Sequence, residues 1–266
     1  MPDLPFRFAD LSGKTILLTG ASRGIGRAIV PTLLSQGLNL ILTARNADAL
    51  QELKESSSYP DRVTIFPSDL ADPDSRRALA AKINDAAPVL DAIVHNAAID
   101  PRYRFSELKL DDFRQVMATN VEPIIDLSRD LLPRLKAAEH PRLVLVGSVT
   151  FNVGTVYLSA YVASKGAIVG LTRSMARELG PDHITVNCLE PGAIVVEKEI
   201  VGEARHQRII DLQAVKRRLT PTDLEGPLCF LLSKASGGIT GQVLTVDGGL
   251  IHPIAGPEMQ GAHLDQ

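Results

Sequence analysis

The 266-residue chain has no tryptophan, two cysteines, 4% aromatic residues and a formal net charge of only −3. Each scarcity excludes something. Near-neutral charge leaves no electrostatic footprint for nucleic acid or an anionic membrane surface. No apolar run reaches the length of a membrane span, and the opening "MPDLPFRFAD" lacks a signal-peptide core. Cys188 and Cys229 are far apart in apolar surroundings. They read as buried thiols of a reducing compartment rather than a disulfide or metal pair, and the expected location is cytoplasmic. No His/Cys/Asp cluster has zinc spacing, so no metal is expected. Few aromatics also disfavour a pocket for a large flat substrate.

What is present is an alternation. The apolar runs 14–19, 38–43, 62–67, 91–96, 142–148, 184–189 and 242–247 read as strands. They are nearly continuous in Leu, Ile and Val, as in strands buried on both faces. Helical patterns fall between them, at 24–35, 46–56, 73–86, 111–138, 158–179 and 222–234. The alternation predicts one α/β domain: a doubly wound parallel sheet of about seven strands, a Rossmann fold, with helices on both faces. In such folds ligands bind outside the carboxyl ends of the strands.

The first strand ends in "TGASRGIG", with Gly20, Gly24 and Gly26 opening the first helix. Glycines here permit a tight turn and close approach of a pyrophosphate to the helix N-terminus. The second strand ends in Ala44-Arg45-Asn46, with no acid for the ribose hydroxyls of NAD. Arg45 and Arg23 instead suit the 2′-phosphate of NADP(H). Asp69 follows the third strand and "HNAAI" (95–99) the fourth. Asn120 interrupts the long pattern at 111–138, and Ser148 ends the fifth strand. Tyr161 and Lys165 lie one turn apart on the next helix. A free tyrosine has a pKa of about 10, and a lysine plus a further positive charge would lower it into a useful range. Pro31 falls inside the first helix and is expected to kink it.

Together "TGASRGIG", "HNAAI", Asn120, Ser148, Tyr161-x-x-x-Lys165, "PGAI" (191–194) and "ITGQVLTVDGG" (239–249) resemble the short-chain dehydrogenase/reductase family, from about Leu11 to Gly249. The resemblance implies hydride transfer between NADP(H) and a small alcohol or carbonyl substrate, with Tyr161 as acid–base residue. Lys165 would lower the tyrosine's pKa and hold the nicotinamide ribose. Ser148 would orient the substrate oxygen, and Asn120 would hold a water leading to Lys165. Gly20, Ser22, Arg23, Gly24, Ile25 and Gly26 would form the phosphate turn. Arg45 would reach the 2′-phosphate, Asp69 and Leu70 would flank the adenine, and Asn96 and Ala97 the ribose. Pro191 and Gly192 would pass beside the nicotinamide, and Ile194 would meet its carboxamide.

Two departures stand out. His95 and Ala98 replace an asparagine and a glycine of the family pattern, and Val196 stands where many relatives carry a threonine. A substrate loop is expected at 194–218, walls at Phe151, Val153, Val156 and Tyr157, and a tail at about 251–266. Arg102 and Arg104 either face a polar substrate or are solvated. The resemblance also implies a homotetramer, or a homodimer, built on 111–138, 158–179 and the last strand. Sugars and polyols are one substrate class; a 3-oxoacyl thioester or a general carbonyl is the alternative. A non-catalytic NADP-binding regulator would be expected to have lost Ser148, Tyr161 or Lys165, and all three are present.

Overall fold

The computed structural model describes residues 6–196 and 203–251. Seven parallel strands form one sheet in the order β3-β2-β1-β4-β5-β6-β7. They are β1 (Thr15–Thr19), β2 (Asn39–Thr43), β3 (Val63–Ile65), β4 (Ala92–His95), β5 (Arg142–Val146), β6 (Thr185–Pro191) and β7 (Val243–Val246). The order reverses between β1 and β4, whose register pairs Leu17 with Ile93 and Leu18 with Val94. The crevice above that reversal is where such sheets take ligands.

Side chains alternate across each strand, so a buried parallel sheet needs two cores. Ile16 and Leu18 join the core that includes Leu33 and Leu228, carried by α1 (Gly24–Ser35) and α10 (Thr222–Leu232). Leu17 and Ile93 join the opposite core with Leu79, Leu127 and Ile168. Those three belong to α3 (Pro73–Ala86), α5 (Glu122–Asp130) and α8 (Ser159–Leu179). Both cysteines are buried and free.

All seven expected strands are present. The expected helix over 111–138 is instead three: α4 (Leu110–Asn120), α5 and α6 (Leu132–Lys136). Pro123 and Pro133 each stand in the opening turn of a new helix, where a missing N–H costs nothing. The chain breaks at Val121, with φ −119° and ψ −51°. Helix α1 continues unbroken through Pro31, which lies exposed, so the anticipated kink does not interrupt it. Helix α2 (Ala47–Glu55) is capped by Asn46, whose side chain accepts from the Ala49 N–H at 3.0 Å. A short α7 (Thr150–Val153) follows Ser148, and α9 (Glu203–Leu212) lies within the expected substrate loop. Residues 197–202 of that loop, and the tail beyond Ile251, lie outside the described residues. Among the described residues no helix is long and apolar enough to cross a membrane.

Candidate active site

The β1–α1 turn is built to bring backbone close to backbone. Gly20 has φ +70°, and a Cβ there would lie 2.7 Å from the Ala97 Cα. A Cβ on Gly26 would meet the Gly20 carbonyl oxygen at 2.3 Å. Gly24 has φ +59° with nothing within 4 Å of a Cβ position, so its side of the turn is open. Arg23 precedes α1 without a side-chain cap. The first-turn N–H groups therefore have no side-chain acceptor from the cap, which suits an anion. Ser22 and Ile25 complete the turn, both partly buried.

The turn is stapled to β4 by side chains. Asn96 Nδ2 donates to the carbonyls of Thr19 (3.0 Å) and Gly20 (3.3 Å). The Asn96 and Ala97 N–H groups both donate to Thr19 Oγ1 at 3.0 Å. Thr19 is a site-forming residue that sequence reading passed over; only its place as the last residue of β1 signals it.

Arg23 and Arg45 are exposed, and neither has an ion-pair partner among the described residues. Arg27 is different: it is tied to the Ala49 carbonyl and to Glu52. Asp69 is exposed and accepts from the Ala71 N–H at 3.0 Å. The helix cap is Asp72, not Asp69. Leu70 is buried, and its carbonyl accepts from the buried Arg76 at 2.8 Å. Gly192 passes so close to β7 that a Cβ would lie 2.6 Å from the Asp247 Cα. Ile194 is buried and bridges to Leu219, so it faces the core at this point. Val196 packs against the α1/α10 core.

The catalytic candidates converge at the ends of β5 and β6. Ser148 Oγ accepts from the Thr150 N–H (3.3 Å) and from Thr150 Oγ1 (3.0 Å). A hydrogen bond from Ser148 draws the Tyr161 pKa down, but burial dominates and pushes it up to about 12, helped by Asp100. Lys165 is buried, lies 5.3 Å from the centroid of the Tyr161 ring, and donates to the Val146 carbonyl at 2.7 Å. Burial lowers its pKa to about 8. The expected lowering joined this lysine to a further positive charge; among the chain's own groups burial dominates. Desolvation disfavours the lysine's charge, and its ammonium donates to the Val146 carbonyl. A second positive charge is needed.

Asn120 ends α4 rather than sitting mid-helix. Its Oδ1 accepts from the Ile99 N–H at 2.9 Å, and its Nδ2 donates to the Ile99 carbonyl and to Ser164 Oγ, both at 3.0 Å. The amide thus staples the β4 loop to α8, and both its donors are occupied. His95 is buried, bonded to Ser128 Oγ at 3.0 Å, and kept neutral with a pKa of about 3 by desolvation. It is structural.

The expected wall residues Phe151, Val153, Val156 and Tyr157 are all exposed, and the Phe151 ring lies against Gly166 of α8. Tyr157 has φ +64°, a conformation rare for a side-chain-bearing residue. Its carbonyl accepts from the Tyr103 N–H at 2.9 Å, linking the two loops. Arg102, Arg104 and Asp100 are all exposed on the β4 side.

Comparison with known proteins identifies the relatives of the chain. A family model described as enoyl-(acyl carrier protein) reductase matches residues 20–251. The chain is 32% identical over 243 residues to a 3-oxoacyl-[acyl-carrier-protein] reductase of Vibrio harveyi, covering 91% of this chain and 98% of that protein. It is 31% identical over 248 residues to an L-rhamnose 1-dehydrogenase (NADP(+)) of Thermoplasma acidophilum, with 91% and 98% coverage. Among solved structures, a short-chain dehydrogenase/reductase (glucose/ribitol dehydrogenase) from Brucella melitensis superposes with a TM-score of 0.86 at 29% identity, covering 92% of this chain and 99% of that one. The chain therefore belongs to the short-chain dehydrogenase/reductase family.

Proposed function

We propose that the chain is an NADP(H)-preferring oxidoreductase that interconverts a small alcohol and its carbonyl, with Tyr161 as the acid–base group. The observation that carries this reading is the convergence of Ser148, Tyr161 and Lys165 at the carboxyl edge of the sheet, beside a glycine turn open to a pyrophosphate. The residues present fit a nicotinamide dinucleotide. The Gly20–Gly26 turn would take the pyrophosphate, Asp69 and Leu70 the adenine side, Asn96 and Ala97 the ribose, and Pro191, Gly192 and Ile194 the nicotinamide. Arg23 and Arg45, exposed and without ion-pair partners among the described residues, support NADP over NAD.

Bound cofactor supplies the hydride donor or acceptor and, when oxidised, the positive ring charge. The chain supplies the proton chemistry. In reduction, oxyanion charge grows on the substrate oxygen, where Ser148 and Tyr161 donate hydrogen bonds and Tyr161 gives up its proton. In oxidation the tyrosinate takes the alcohol proton. Lys165 sits behind the tyrosine as the replenishing ammonium. Because the Asn120 amide is engaged, a water leading to Lys165 would rest on backbone at this helix end.

Two substrate classes have specific support. Exposed Arg102, Arg104 and Asp100 favour a polar sugar, polyol or hydroxy acid. The exposed Val153, Val156 and Tyr157 favour a carbonyl on an apolar chain, such as a 3-oxoacyl thioester. NADP⁺ reduction at alkaline pH over sugars, polyols, hydroxy acids and secondary alcohols, paired with NADPH oxidation by 3-oxoacyl thioesters and simple ketones, decides between them. Turnover in the first set alone assigns the polar class; turnover in the second alone assigns the apolar one.

A further inference from the structure

We propose that Thr150 is a positioning residue that fixes the direction of the Ser148 hydroxyl, so that Ser148 donates and does not accept at the reacting oxygen. The inference rests on the oxidoreductase reading above. A serine hydroxyl has one proton and two acceptor lone pairs. Thr150 addresses the acceptor side twice, with its N–H at 3.3 Å and its Oγ1 at 3.0 Å from Ser148 Oγ. What remains of Ser148 is its one proton, free to be donated to the reacting oxygen beside Tyr161. The hydroxyls run in one direction, from Thr150 to Ser148 and on to the reacting oxygen.

The rest of the local structure holds this order in place. Helix α7, which Thr150 opens, has four residues and cannot sustain itself. Asn152 Nδ2 donates to the buried Glu190 Oε2 at 2.8 Å, and Thr245 Oγ1 donates to the same oxygen at 3.1 Å. Glu190 thereby pins α7 to both β6 and β7. On either side of Ser148, the Gly147 N–H donates to the Leu189 carbonyl (2.8 Å) and the Val149 N–H to the Pro191 carbonyl (3.1 Å). Neither Thr150 nor Glu190 is singled out by the sequence: the role of Thr150 depends on the turn after β5, and that of Glu190 on contacts across strands.

The chemical consequence is asymmetric. In reduction, two donors converge on one carbonyl oxygen. In oxidation, the alcohol proton has one acceptor, Tyr161, because Ser148's lone pairs are already engaged. The charged and titratable groups around Tyr161 are Lys165 on its own helix and Asp100 from the β4 loop; behind Lys165 lie Cys188 and then Glu190 on β6. None of these contacts Thr150 directly among the bonds described, so Thr150 variants act through Ser148.

The test is the pH profile of alcohol oxidation with NADP⁺, on the full chain, for wild type, Thr150→Val, Thr150→Ser and Thr150→Ala. Tyr161 must be deprotonated to act, so the rate rises with pH through its apparent pKa. Thr150→Val frees the Ser148 hydroxyl to turn away and removes its pull on the tyrosinate. We expect kcat to fall about tenfold and the midpoint to rise by about one pH unit, with the KM for NADP⁺ unchanged. Thr150→Ser should restore both. Thr150→Ala removes the donor without adding bulk, and covers the case in which valine disturbs the turn. A wild-type midpoint in both Thr150→Val and Thr150→Ala overturns the proposal, even if the rate falls with the melting temperature. A wild type that binds NADP(H) but turns over no substrate overturns the oxidoreductase reading, and this proposal with it.

Discussion

The two halves of the proposed site are made in different ways. The cofactor half is backbone held close to backbone: Gly20 against Ala97, Gly26 against the Gly20 carbonyl, Gly192 against Asp247, with exposed arginines at the rim. The catalytic half is made of side chains taken out of water. Lys165 and Glu190 are almost fully buried, and the ionisation of Tyr161 and Lys165 is displaced in opposite directions by the same desolvation. Stability is given up for function in the buried half. A glycine turn suits its own conformation, whereas a buried lysine bonded to a neutral carbonyl is destabilising by itself.

That comparison is sharpened most by Lys165→Met. Turnover should fall by about 10²–10³-fold. The cofactor-free chain should melt roughly 3–6 °C higher at pH 7, the loss of the Val146 bond offsetting part of the gain. The sign follows from burial. Lys165 has a folded pKa of about 8 against an ordinary 10.5, so its destabilisation is complete below pH 8 and disappears as pH rises to 10.5. Wild type should therefore gain stability across that window relative to the variant. Tyr161 acts oppositely: with a folded pKa of about 12 against 10, it withdraws stability between pH 10 and 12. Melting curves from pH 7 to 11 check this, and a variant that melts lower throughout would show that Lys165 is stabilising.

In the cofactor half the expected effects are smaller and leave stability alone. Arg45→Asp places a carboxylate where the ribose of NAD can use it and where a 2′-phosphate is repelled. The ratio of kcat/KM for NADPH over NADH should fall at least about tenfold, from the loss of a charge-assisted bond. The melting temperature should stay within about 1 °C, because Arg45 is exposed. An unchanged ratio would remove Arg45 from the phosphate site.

The same contrast explains what was legible in the sequence. Strands were readable because both faces are buried, which leaves continuous Leu/Ile/Val runs such as β1 and β5. The glycine turn was readable because only glycine fits at Gly20 and Gly26. The break at Asn120–Val121 was missed although Pro123 and Pro133 advertised it; the apolar period simply carries across both joints. Ser148, Tyr161 and Lys165 were placed by spacing and resemblance. Their electrostatics were not legible, since the pull on Tyr161 depends on how deeply it is buried and on an Asp100 that follows another strand. Thr150, Ser164 and Glu190 were not legible for the same reason, and Thr19 only by its place at the end of β1: each matters through a partner distant in sequence or across a turn.

The account stands most directly on the Tyr161 hydroxyl. The decisive measurement is NADPH oxidation, followed by absorbance, with the best carbonyl found in the substrate panel, for wild type and Tyr161→Phe, alongside NADPH binding by both. The account predicts turnover by wild type, a fall of about 10³-fold or more in the variant, and NADPH affinity within about twofold. A variant that retains wild-type turnover while binding NADPH normally would contradict it.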